Sequence, residues 1–201
     1  MMVVVTGASG PAGRAVCARL RRLGHAVVAV GTDAGRVAEV DADDRRVADL
    51  TDPDATRGVA ADVAAEHGGV DAVLHLVGGW RGGDSAEADA WLRPRLVDTL
   101  ANVIGAFETH LTASAGRLAI VSSSAVRPGA TSSYARAKAD AERLVTELGD
   151  RLATTGGAAT VFAIRSLGED GTPASVLADR LASWLTEPAA EVNGARLVIP
   201  G

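Results

Sequence analysis

Cysteine is nearly missing from this chain: Cys17 is the only one in 201 residues, so an internal disulfide is excluded. No histidine or cysteine cluster has metal-ligand spacing, and no G-x-S-x-G elbow is present, so neither a bound metal nor an esterase-type serine nucleophile is expected. The opening MMVVVTGASG has no basic leader and no apolar run long enough for a signal peptide or a membrane span, which makes the cytoplasm the expected location. Charge of one sign is not in great excess. Twenty Lys and Arg against 25 Asp and Glu leave a formal charge of -5, which gives no reason to expect nucleic acid or an anionic membrane as partner. Linkers, repeats and low-complexity stretches are also lacking. With 47% hydrophobic and 22% charged residues, the composition is that of a soluble globular protein, and one domain over residues 1–201 is the expectation.

What is present is an alternation of short β-branched runs with longer helical patterns. Strands are expected at Met2 to Thr6, Ala26 to Gly31, Arg46 to Ala48, Asp71 to Val77, Arg117 to Ser122, Ala159 to Arg165 and Arg196 to Ile199. Several are near-continuous apolar runs, as in parallel strands covered on both faces. Helices are expected at about 11–23, 53–67, 86–112, 133–154 and 173–186. The alternation implies an α/β protein with a doubly wound parallel sheet, a Rossmann fold.

The first strand runs into Thr6-Gly7-Ala8-Ser9-Gly10-Pro11-Ala12-Gly13 and then a helix, the setting of a phosphate-binding turn. Glycine lets the backbone turn tightly and lets a pyrophosphate approach the amides at the helix start, where the macrodipole favours an anion. A tight strand-to-helix turn without a ligand is the plainer alternative. Near the end of the second strand, an acid would suit NAD and a basic residue NADP. The chain has Gly31-Thr32-Asp33 there, with Asp33 placed late enough to cap the next helix and Arg36 within reach, so the reading leans to NADP over NAD.

Tyr134-Ala135-Arg136-Ala137-Lys138 places a phenol and an ammonium four residues apart on one helical face, just after a strand ending in Ser122-Ser123-Ser124. Carbonyl reduction needs a proton donor at the oxygen, and a free tyrosine, with a pKa of about 10, scarcely ionises at neutral pH for the reverse reaction. A neighbouring ammonium and an oxidised nicotinamide would lower that value toward about 7. A serine hydroxyl would hold the carbonyl oxygen in line.

Together these motifs resemble the short-chain dehydrogenase/reductase family over essentially the whole chain. The spacing T-G-x-x-G-x-x-G is closer to extended and atypical members than to typical small ones, because Gly10 is present and position 11 is proline. The resemblance implies a dinucleotide held by Gly7, Ser9, Gly10, Pro11, Ala12, Gly13, Thr32 and Asp33. It gives Asp49 and Leu50 of the V-A-D-L segment to the adenine, although Asp49 to Asp54 reads equally well as a turn and helix cap. Val77, Gly78 and Gly79 stand where the family has N-N-A-G. Tyr134 and Lys138 would serve both catalysis and the cofactor. Ser123 becomes the catalytic serine, with Ser122 and Ser124 as alternatives because the spacing to Tyr134 is two residues short. Asn102, in an N-x-x-G-x-F frame, would hold a water linking Lys138 to solvent.

The segment after the sixth strand is too short for the family's lid. An open pocket is therefore expected, accepting a bulky substrate or completed by a neighbouring subunit, and the substrate expected is a small-molecule or carrier-borne carbonyl compound. Trp80 and Arg81, with Ser124, are the candidate substrate contacts. His75 reads as a core histidine bonded to backbone, and His110, Trp91 and Trp184 as packing or surface residues. The resemblance implies a homodimer or homotetramer through the long helices at 86–112 and 133–154, with Ala135, Ala139 and Ala141 on the shared surface. Two other activities compete with carbonyl reduction or alcohol oxidation: nucleotide sensing without chemistry, and sugar-nucleotide epimerisation or dehydration.

Overall fold

The computed structural model describes residues 1–200. Seven strands form one sheet, β1 (Met2–Thr6), β2 (Ala26–Gly31), β3 (Asp44–Val47), β4 (Ala72–His75), β5 (Arg117–Ser123), β6 (Ala158–Ile164) and β7 (Arg196–Val198). Their order is β3-β2-β1-β4-β5-β6-β7, and every pair is parallel. The chain winds outward from β1 in one direction and then restarts at β4 on the other side. The carboxyl ends of β1 and β4 therefore flank the point where the winding reverses, and loops diverge there to leave a crevice.

Alternate strand positions feed two cores. Val3 and Val5 of β1 face one layer with Leu20 of helix α1 (Pro11–Arg22) and Leu177, Leu181 and Trp184 of helix α7 (Ala174–Trp184). Val4 faces the other, with Val63 of α3 (Pro53–His67), Phe107 of α5 (Thr99–Ser114) and Leu148 of α6 (Ser133–Leu152). Trp184 is fully buried, meets Phe162 edge-on at 5.9 Å and donates its indole N–H to Thr160 at 3.0 Å, so it is a core residue. Among the described residues, no helix is long and apolar enough to cross a membrane.

The expected elements are present, with several ends shifted by one to two residues, β4 among them at Ala72–His75 where Asp71 to Val77 was expected, and with the following further differences. β3 begins two residues early, at Asp44; on this sheet edge its side chains alternate in exposure and the apolar signal is weak. Short helices α2 (Ala34–Ala38) and α8 (Ala189–Val192) span too few turns to show a period. The helix expected at 86–112 is interrupted: α4 (Ala86–Arg93) passes through a π-helical turn at Pro94–Asp98 into α5. Pro94 has no N–H for the α-helical ladder, and the wider turn absorbs one extra residue. Finally, Ala135 and Ala141 are buried inside this chain, so they do not lie on a surface for a partner helix as expected; Ala139 is exposed.

Candidate active site

A continuous cleft follows the carboxyl edge of the sheet. One cavity, of about 510 Å³, is lined by Gly7, Ser9, Thr32, Asp49, Leu50 and Thr99 among others. It joins a second, of about 370 Å³, around Gly10 to Gly13, through the shared residues Gly7, Ser9, Val77 and Gly78. A third, of about 320 Å³, holds Ser123, Tyr134 and Lys138 and shares Gly78 and Gly79 with the second. A fourth, of about 730 Å³, opens beyond Tyr134 toward Trp80, Arg81 and Arg165.

The glycine turn owes its shape to close contacts. Gly7 has φ of +67°, and a Cβ there would lie 2.7 Å from the Leu76–Val77 backbone, so β1 and β4 close together only because the side chain is missing. A Cβ at Gly13 would lie 2.5 Å from Ala8 Cα and the Gly7 carbonyl. Gly10 is the N-cap of α1 with no side-chain cap, and Pro11 starts the helix, so the amides of the first turn face the cavity without a partner from a capping side chain. At Gly78 a Cβ would meet nothing within 4 Å. Uncapped amides, a helix dipole and open space at Gly78 fit the pyrophosphate of a dinucleotide.

On the adenosine side Thr32 lines the cavity, whereas Asp33 does not. Its carboxylate accepts the Arg36 backbone N–H at 2.9 Å and caps α2, the alternative its late position suggested. The Arg36 guanidinium donates to Ser9 O at 3.2 Å, and Arg14, which sequence reasoning passed over, donates to the same carbonyl at 3.1 Å. Arg14 also pairs with Glu39 at 3.0 Å, but Arg36 has no carboxylate partner among the described residues. Asp49 lines the cavity and accepts from the Thr51 amide and hydroxyl, so it is both a turn-former and a wall residue, with its pKa held below the usual range by those bonds.

Asn102 is not at Lys138. Its amide donates to the carbonyls of Leu50 (2.9 Å) and Thr51 (3.2 Å), fixing the β3–α3 segment that walls the adenosine cavity. The face that α5 buries, Leu100, Val103, Ile104 and Phe107, fixes the phase of Asn102 and leaves its amide toward the β3–α3 segment. Asn102→Ala is expected to weaken dinucleotide binding about three- to tenfold, the loss of two ordinary hydrogen bonds, and to leave the pH profile of kcat unchanged. A titration and a pH-rate profile separate this role from a proton relay.

The catalytic end is built by β5 and α6. Ser132 caps α6 by accepting from the Ala135 amide, which sets Tyr134 in the first turn; Lys138 and Glu142 follow on the same face at four-residue steps. Ser123 and the Tyr134 phenol line the same cavity, and the Ser123 Oγ accepts the Ala125 amide at 3.1 Å. Ser122 instead donates to Glu142, and Ser124 is exposed with its amide bonded to Ile164 O, which selects Ser123 from the three. Ser124 lines none of the four cavities. Arg196 of β7 reaches across to bond Glu142 (2.9 Å) and Ser123 O (2.9 Å), locking the end of β5.

Burial raises the Tyr134 pKa, and the Ser123 hydroxyl only partly offsets it, so the lowering expected from Lys138 is not present in the free chain. Lys138, 7% exposed, donates to Val121 O at 2.7 Å. Desolvation pulls it down to about 8 despite the nearby Glu142 carboxylate. His75 is buried and bonded to the Thr6 hydroxyl at 2.8 Å, a side chain and not the expected backbone group; burial foremost, and the Lys138 charge, push it down to about 3 and keep it neutral. Trp80 stands 73% exposed at the cleft mouth, and Arg81 is paired with Glu87. Asp44, Glu66 and His67 do meet, away from this cleft, but the Arg46 guanidinium already occupies both carboxylates.

Residues 3–188 match the family model described as NAD dependent epimerase/dehydratase family. The chain belongs to that family. A short-chain type dehydrogenase/reductase from Mycobacterium ulcerans is similar in structure, with a TM-score of 0.88 at 20% identity over 98% of this chain and 87% of that one. So is the crystal structure of gox2181, with a TM-score of 0.86 at 16% identity over 98% and 93%. No curated protein matches the chain. Family and fold together define an NAD-dependent epimerase/dehydratase family member with the architecture of a short-chain dehydrogenase/reductase.

Proposed function

We propose that this protein is an NADP-preferring carbonyl reductase in which Tyr134 is the proton donor, Ser123 positions the carbonyl oxygen and Lys138 supplies the charge that steadies the phenolate. The observation that carries this reading is the convergence of Ser123, Tyr134 and Lys138 in one cavity that opens directly onto the glycine turn. The glycine turn would hold a nicotinamide coenzyme, whose reduced form would supply the hydride that reduction of a carbonyl carbon needs. The carbonyl oxygen would take the Tyr134 proton and stay on the carbon as the alcohol hydroxyl, while Ser123 donates to that oxygen as negative charge grows on it. A phenol held neutral by burial favours this reductive direction near pH 7.

Gly7, Gly10 and Gly13 would hold the pyrophosphate, Leu50 and Asp49 the adenine, and Thr32 with Arg36 the ribose and its phosphate. The preference for NADP rests on Arg36, a guanidinium free of carboxylates beside Ser9. Arg36→Ala is expected to weaken NADPH binding about 10- to 100-fold, the loss of a charge-assisted contact, and to leave NADH binding within about twofold. Nicotinamide fluorescence measures both. Epimerase or dehydratase chemistry is a second reading, favoured by the family description alone. Following NADPH absorbance with a panel of aldehydes and ketones tests the two: net oxidation that disappears in Tyr134→Phe supports the reductase, and binding without any oxidation overturns it.

A further inference from the structure

We propose that the substrate is an anionic carbonyl compound, whose carboxylate or phosphate is received by Arg165. This rests on the reading above only in placing the carbonyl at Tyr134. In a chain with more acids than bases, the catalytic cavity and the one beyond it are lined by Lys138, Arg81 and Arg165, with no Asp or Glu among their lining residues. A cleft walled by one sign of charge concentrates the opposite sign.

The two arginines differ. Arg81 is neutralised by Glu87. Arg165 lines both cavities and donates to a backbone carbonyl, Asp170 O, but has no carboxylate within salt-bridge distance among the described residues. A guanidinium held by one neutral acceptor retains donors in a planar fork that matches a carboxylate or phosphate.

Arg165 is also rigidly rooted relative to the chemistry. The β5–β6 register pairs Ser123 with Ile164, and Ser124 N–H donates to Ile164 O at 2.9 Å. Arg165 is the next residue, so its stem begins about one strand spacing from the serine that would hold the carbonyl oxygen. An anion within one side-chain length of Ser123 then spans from the reacting carbon to Arg165. Trp80 lines the same two cavities as Arg165, an aromatic surface for the connecting carbons, and a Cβ at Gly82 would lie 3.1 Å from its ring, so the loop folds against the indole.

The test uses the NADPH complex of Tyr134→Phe, so that binding is read without turnover. Its probes are 4-formylbenzoate, the methyl ester of that acid and 4-formylphenyl phosphate, titrated by quenching of nicotinamide fluorescence. At least one anion is expected to bind roughly tenfold or more tighter than the ester. Arg165→Gln is expected to abolish that preference with ester affinity unchanged, and Arg165→Lys to restore part of it. Whichever anion binds tighter identifies the group. Equal affinity for acid, phosphate and ester, a preference that survives Arg165→Gln, or binding of none of them overturns the proposal. An Arg165-dependent preference without turnover of any probe by the wild-type enzyme retains the anion site and removes the reductase reading.

Discussion

Tyr134→Phe is expected to lower kcat for carbonyl reduction by about 10²- to 10⁴-fold, the usual contribution of a positioned proton donor, with NADPH affinity changed by less than about threefold. The phenol shares the catalytic cavity with Ser123 and Lys138, and burial raises its pKa, which keeps its proton in place at pH 7. Removing a single oxygen leaves the ring and its packing in place, so a loss of rate with binding preserved cannot come from misfolding. Tyr134 is the only tyrosine in the chain, and its ionisation can be followed directly by ultraviolet difference absorbance.

The pH dependence has a definite sign. Phenol and ammonium must both carry their protons for reduction, and Lys138 loses its own first, near 8. The reductive rate is therefore expected to be level through neutral pH and to fall as pH rises through about 8, as the cation that steadies the developing phenolate disappears. Stability should move the other way. Between about 8 and the ordinary lysine value of 10.5, the unfolded chain holds a proton that folded Lys138 has released, so unfolding becomes harder as pH rises across that window. Rate profiles and denaturant midpoints on one set of buffers should show the two trends crossing.

Gly13→Ala is the second large effect. The added methyl would lie 2.5 Å from Ala8 Cα and Gly7 O and 2.6 Å from Ala8 O, all backbone, so the glycine turn has to shift as a unit. Overpacking against main chain is expected to destabilise the protein by about 2–4 kcal/mol, a fall in Tm on the order of 10 °C for a chain of this size. Dinucleotide binding should be lost with it. Gly10→Ala is the control: the nearest atom to its Cβ is Gly7 O at 3.4 Å, so it should keep nearly the parental Tm while the methyl intrudes on the pyrophosphate. Equal Tm values for the two variants would show that the close approach at Gly13 does not govern the turn.

Elements whose pattern is long or sharply bounded were legible in the sequence. The expected strands at Met2–Thr6 and Ala26–Gly31 and the helix at Pro53–His67 have the observed bounds, because apolar runs and the Pro and Gly at their ends act locally. Tyr134 and Lys138 were legible for the same reason: helical spacing fixes their shared face. Asn102 was not. Its motif was intact, but its partners are carbonyls of Leu50 and Thr51, about fifty residues away, which only the packing of α5 on the β3–α3 segment brings within reach. Asp33 was half legible, since its late position announced a cap. Arg165 was hidden because only the β5–β6 register brings it beside Ser123, although a charged residue directly after an apolar strand in this fold would have been a usable clue.

Arg196 gives the site an order of assembly. A ribosome releases the glycine turn, the adenosine wall, Ser123 and Tyr134 long before the last strand, yet the bonds that clamp Ser123 O and Glu142 come from residue 196. The nascent chain thus carries Ser123 with its carbonyl unclamped until the strand bearing Arg196 is made and docks on β6.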